Sequence, residues 1–307
     1  MELTSLSRKK DIFGVVLIKI FLFILLPLSL VQAEDNENLV AQECNRIGNK
    51  LGSVSINNCL DINLTATDGR SVKNAPILLK EYPPLTRRSP LGKILLLGGI
   101  HGDEYSSVSI VFKWMRILNE HHSGLFHWHI VPLLNPDGLL RKKSQRMNEN
   151  NVDLNRNFSM HDWENTAIKH WIDVTHSNPR RYPGEKPLSE PETTWLVEHI
   201  NRYDPDVIVA VHAPHGVVDY DGPCNGPYKL GRLYLNLLGT YPGSLGNYAG
   251  IQRKIPVVTI ELPYAGIMPT NKEINDIWRD MVKWLSKNIT LEVYTKLLEK
   301  IQDTAPS

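Results

Sequence analysis

Short apolar runs alternating with stretches of helical period predict an α/β fold, a three-layer α/β/α arrangement around a mixed, mostly parallel sheet. Residues 93–98, 127–134, 206–212 and 255–262 are rich in Ile, Val or Leu and have the continuous apolar character of strands covered on both faces. Residues 104–120 set Val108, Val111, Met115 and Leu118 on one helical face, and residues 271–287 do the same with Ile274, Ile277, Met281 and Trp284.

The chain opens with Arg8, Lys9 and Lys10, an apolar run across 12–31 interrupted by Lys19, and then Val31-Gln32-Ala33 before Glu34 and Asp35. That order predicts a signal peptide over 1–33, cut after Ala33, and so a periplasmic or secreted protein with no stable membrane span after cleavage. The uninterrupted apolar part, 20–31, is shorter than the roughly 20 residues of a spanning helix, and the competing reading is an uncleaved anchor in which Lys19 snorkels. Export permits a bridge between Cys44 and Cys59, leaving Cys224 as an odd thiol; the competing reading makes all three small buried hydrophobes. Residues 34–70 read as an accessory segment with helical spacing at Leu39, Cys44, Ile47 and Leu51, residues 71–288 as the main domain, and 289–307 as a polar tail in the form of a frayed helix. Ser189 with Glu192 predicts a capping-box start for the helix carrying Leu196 and Ile200. A formal net charge of +1 over 307 residues gives no basic surface for nucleic acid.

Gly98-Gly99-Ile100-His101-Gly102-Asp103-Glu104 follows one strand and precedes a helix, so a single turn can aim an imidazole and a carboxylate at one ion. A catalytic metal normally takes a third protein ligand and keeps one position open. His212 is the best candidate, because it ends an apolar strand and α/β sheets bind ligands in the crevice beyond the strands' carboxyl ends; its bland reading is a hydrogen-bonded structural histidine. Asn150-Asn151-Val152-Asp153-Leu154-Asn155-Arg156-Asn157-Phe158 offers an arginine fork beside amides, a pattern suited to a carboxylate; its bland reading is a solvated loop. Glu261 ends another apolar strand, where a carboxylate is costly without a metal, partner or water.

These segments, with Asn135-Pro136-Asp137-Gly138, occur in the order of the zinc carboxypeptidases, the funnelins, and the chain resembles that family over about 90–265, closest to its short bacterial, murein peptide amidase-like members. The resemblance implies one zinc ion held by His101, Glu104 and His212, Glu261 as general base and then acid, and Asn155 and Arg156 on the substrate carboxylate. It implies that Asp153 orients His101 from behind and that an earlier arginine faces the oxyanion. Arg146 fits best, with Arg141 its rival, and Tyr241 is the counterpart of the family's capping tyrosine.

The specificity pocket is expected near 243–248, where Gly246 and Asn247 provide neither an acid nor a greasy wall, a surrounding suited to a polar, zwitterionic side chain such as diaminopimelate. The expected reaction is hydrolysis of a peptide or isopeptide bond beside a free carboxylate, with the γ-D-glutamyl to diaminopimelate bond of muropeptides favoured. The alternatives are C-terminal trimming of ordinary peptides, an aspartoacylase or succinylglutamate desuccinylase type of amidohydrolase, and a non-catalytic cell-wall binding module. His215 reads as a loop or substrate contact. His121, His122, His127 and His129 show no partner at ligand spacing, and Trp163, Trp171 and Tyr182 are candidates for the funnel rim.

Overall fold

The computed structural model describes residues 36–85 and 89–303, with side chains to 289; the signal peptide expected over 1–33 lies outside them. Helix α1 (36–50) and the short α2 (Ile56–Leu60) come first, joined by a disulfide between Cys44 and Cys59 with Cα atoms 5.4 Å apart. Ser55 caps α2 by accepting from the Asn58 N–H. Strands β1 (Thr65–Arg70), β2 (Pro76–Tyr82) and β3 (Lys93–Leu97) follow, then helix α3 (Tyr105–His121), β4 (His127–Val131) and α4 (Pro136–Leu140). The second half supplies α5 (Lys169–Asp173), α6 (Pro191–Tyr203), β5 (Val207–His212), β6 (Val217–Asp221), the small β7 (Lys229–Leu230) and β8 (Leu233–Tyr234), β9 (Val257–Glu261) and α7 (Asn271–Asp303).

The main sheet has seven strands in the order β1-β2-β4-β3-β5-β9-β6. Its centre, β4-β3-β5-β9, is parallel; β1 and β2 on one side and β6 on the other run antiparallel to their neighbours. Strand alternation divides the apolar residues between two cores. Ile94, Leu96, Val207, Val209 and Val211 face α1, α3 and α7, whereas Leu95, Leu97, Ile208 and Ala210 face α6. All four expected strands form; β5 ends at His212 as expected, β3 and β9 end one residue early and β4 ends three residues early.

One feature of the expected layout changes. Helix α6 starts at Pro191, with Glu190 as its cap residue and no side-chain capping bond, so the Ser189–Glu192 capping box does not form. Proline suits the first helical position, and Glu192 turns inward to accept from Asn148 Nδ2 and the Val72 N–H. Helix α7 continues to Asp303, and Ile289 is buried against the core. Within 34–70, α1 and α2 pack on the core beside α3, and β1 forms the edge of the sheet.

Candidate functional site

The carboxyl ends of β3, β5 and β9 open into one cleft of about 340 Å³, lined among others by His101, Glu104, Arg146, Asn155, Arg156, His212, Tyr241 and Glu261. The turn after β3 is held by Gly99 at φ +61° and by a close approach at Gly102, where a Cβ would sit 2.2 Å from the Gly138 carbonyl carbon. Glu104 is the cap residue of α3 but makes no capping bond. Its carboxylate faces the histidines instead. Asn135 braces the opposite wall by donating to the carbonyls of Ile100 and Arg146 while accepting from Gly138 N–H.

His101 Nδ1 lies 2.8 Å from Glu104 Oε1, His212 Nδ1 lies 3.1 Å from Glu104 Oε2, and the two Nδ1 atoms are 3.1 Å apart. All three residues are buried. These separations sit close to the roughly 3.3 Å edge of a tetrahedron with bonds of about 2.0–2.1 Å, so two imidazoles and a carboxylate present a donor set of zinc type and size. Asp153 supports the fit. Its Oδ1 is 3.1 Å from His101 Nε2, which places the ring proton there and turns the Nδ1 lone pair toward the shared centre. Burial pushes the Glu104 carboxyl up, but the charges of His101 and His212 outweigh it and hold the group well below the usual carboxylate range.

Asp153 also accepts from Arg146 Nε at 2.8 Å, and Arg146 Nη1 stands 3.5 Å from Glu104 Oε1. Burial opposes the charge on Arg146, but Asp153 and Glu104 raise its pKa above the usual value. Arg141 instead is half-buried, 3.9 Å from Glu149, and does not line the cleft. Beyond Arg146, the Asn155 Oδ1 accepts from Leu245 N–H, leaving its Nδ2 as the side-chain donor. The Arg156 guanidinium is buried under the Tyr241 ring, 4.3 Å from its centroid. Its Nη1 donates to the Asn155 carbonyl, yet its Nε has no hydrogen-bond partner. Burial, partly offset by Asp153, lowers this guanidinium to about 10. A buried cation with an unmet donor is a place for an anion.

Glu261 pairs in register with His212 across β5 and β9, and its Oε2 is 3.5 Å from the His215 N–H. His215 is an exposed lining residue. The expected aromatic rim is absent from the lining: Trp163 is buried, and Trp171 packs against Tyr182. That segment contributes Arg180 and Arg181 to the wall instead, with Arg180 paired to Asp103 at 2.9 Å.

One expectation about the pocket is overturned. An acid does stand there, carried by β6 rather than by 243–248. Asp219 and Asp221 both line the cleft, and a Cβ on Gly246 would fall 1.9 Å from Asp221 Oδ2. Asp221 also accepts from the Thr240 hydroxyl, and its carboxyl is raised by burial despite that bond. The signal was present in Val217-Val218-Asp219-Tyr220-Asp221, where acids alternate with apolar residues on a strand.

Residues 63–225 match the family model described as zinc carboxypeptidase. The chain is 36% identical over 227 residues to murein peptide amidase A of Escherichia coli K12, covering 72% of this chain and 90% of that protein. The chain belongs to the zinc carboxypeptidase family. Another relative within the zinc carboxypeptidases, murein peptide amidase A of Vibrio campbellii, is 30% identical over 202 residues, or 64% of this chain and 77% of its own. Bovine thrombin-activatable fibrinolysis inhibitor, solved with a tick carboxypeptidase inhibitor, shares the fold at a TM-score of 0.53 and 18% identity, over 74% of this chain and 89% of its own. The protein is therefore a hydrolase with the zinc carboxypeptidase fold. Glu261 and Tyr241 lie beyond the segment matched by the family model.

Proposed function

We propose that this chain is an exported zinc metallopeptidase that hydrolyses the γ-D-glutamyl to diaminopimelate bond of peptidoglycan peptides. The observation that carries the reading is the charge layout of one cleft. A zinc-type donor set shares that cleft with a buried guanidinium with an unmet donor, Arg156, and with an acid, Asp221. A residue with a carboxylate beside the scissile nitrogen and an ammonium farther along its side chain matches that layout, and diaminopimelate has both. The relatives' name, murein peptide amidase A, supports the same substrate class.

In this reading His101, Glu104 and His212 hold one zinc ion, and Asp153 fixes the tautomer of His101. Zinc held there would supply Lewis-acid chemistry, able to polarise a scissile carbonyl and to acidify water. Glu261 accepts the proton of the attacking water and passes it to the leaving amine. Arg146, held by Asp153, faces the oxygen on which negative charge develops, so its contribution peaks in the transition state. Asn155 and Arg156 hold the substrate carboxylate, and the Tyr241 ring covers the Arg156 guanidinium, which strengthens that pairing by excluding water. Asp221 receives the distal ammonium. The residues before 34 act as the export signal, which places the enzyme beside its substrate.

Incubating the purified protein with the tripeptide L-Ala-γ-D-Glu-meso-diaminopimelate, followed by mass spectrometry, tests the reading. Free diaminopimelate and the dipeptide are the expected products. Release of only C-terminal residues from ordinary peptides, with the tripeptide intact, would reject it.

A further inference from the structure

We infer that Glu81, His127 and His129 form a second site for a divalent transition ion of the zinc, nickel or copper class, at the end of the sheet remote from the cleft. Strand β2 brings Glu81 opposite His129 on β4, and His127, two residues earlier, lies on the same face. Glu81 Oε1 is 2.7 Å from His127 Nε2 and 3.7 Å from His129 Nε2, values that bracket the roughly 3.3 Å edge of a zinc tetrahedron. The three ligand atoms all lie within 4.8 Å of one another. Paired imidazoles with one carboxylate favour zinc, nickel or copper over calcium or magnesium.

The histidines are held in place before any ion arrives. His129 Nδ1 lies 3.1 Å from His199 Nε2 on α6, the kind of bond that orients a ligating imidazole from its far nitrogen. Its ring stacks on Tyr203 at 3.7 Å and 10°, and the Tyr203 hydroxyl donates to the His127 carbonyl. Glu81 is half exposed, so water can complete the shell. The adjoining hollow, about 480 Å³, is also lined by Lys93 and Arg202, but neither cation occupies the centre. Lys93 Nζ donates to the Tyr203 carbonyl at 3.0 Å, and Arg202 lies 4.0 Å from Asp68. An ion here ties β2 to β4 and, through His199, to α6. It fastens the β1–β2 edge without touching the cleft.

The test titrates Zn²⁺ alone, against a competing chromophoric chelator, into protein that already carries one equivalent. A second equivalent is expected, with Tm raised by about 5 °C at a hundredfold excess over Kd. Both responses should vanish in His127→Gln and weaken at least about tenfold in Glu81→Gln, while hydrolytic activity at one equivalent stays unchanged. Glu81 is exposed enough that its substitution cannot be confused with misfolding. Saturation at one equivalent, or a second equivalent that survives in both variants, overturns the inference. Glu104→Gln should lose the cleft's equivalent and keep the thermal response, which separates this site from the proposed catalytic one.

Discussion

Two clusters of histidine and glutamate occupy opposite ends of the same sheet, and they differ in what surrounds them. His101, Glu104 and His212 are buried, braced by Asp153 and faced by Arg146, Arg156 and Glu261. Glu81, His127 and His129 are partly exposed and braced by His199 and Tyr203, and among the described residues the arginine and further carboxylate of the adjoining hollow, Arg202 and Asp68, are exposed and face each other. Ligand type therefore does not distinguish a reactive centre from a fastening; the charges around it do. A proton acceptor and cations placed where charge develops turn a metal-binding cluster into a catalytic one.

The sharpest way to break this comparison is to remove the carboxylate proposed as the cleft's proton acceptor. Glu261→Gln should keep one equivalent of zinc yet lose about a hundredfold or more in kcat, read by metal analysis and steady-state kinetics on the tripeptide. Full activity would show that the surroundings of the buried cluster are not what makes it reactive. Next, Arg156→Lys keeps the charge but not the planar fork, and kcat/KM should fall at least about thirtyfold, mostly through KM. Asp221→Asn should be milder, costing about tenfold on diaminopimelate substrates and little on analogues whose side chain lacks the ammonium.

The smallest effect concerns stability. Burial pushes the Glu192 carboxyl up to about 7 despite the bonds from Asn148 and Val72, with Asp137 adding repulsion. Since the folded value lies above the unfolded one of 4.5, its stabilising contribution is complete below pH 4.5 and is lost as pH rises through 7. Glu192→Gln should therefore raise Tm more at pH 8 than at pH 5, by calorimetry; equal shifts at both pH values would contradict the sign.

The buried cluster was readable in the sequence because its members stand at strand ends or in a dense polar stretch. A carboxylate closing Val257-Val258-Thr259-Ile260 or a histidine closing Val207–Val211 has no cheap explanation. The other cluster was not readable. Glu81 is far from His127 in sequence and sits on β2, whose Pro76, Lys80 and Glu81 weaken its strand pattern; β1, with Asp68 and Gly69, is weaker still. Asp221 escaped notice for a related reason: β6 is a short antiparallel edge strand whose place beside β9 is set by long-range pairing. The Ser189 capping box failed locally, because Pro191 fixed the helix start beyond it.

Asp153 receives His101 on one oxygen and Arg146 on the other, so a single side chain underwrites both halves of the proposed chemistry. Drift at that position leaves no graded intermediate for selection to refine. Homologues that abandon the aspartate are expected to have abandoned hydrolysis as well, and to survive, if they do, as carriers of some other task.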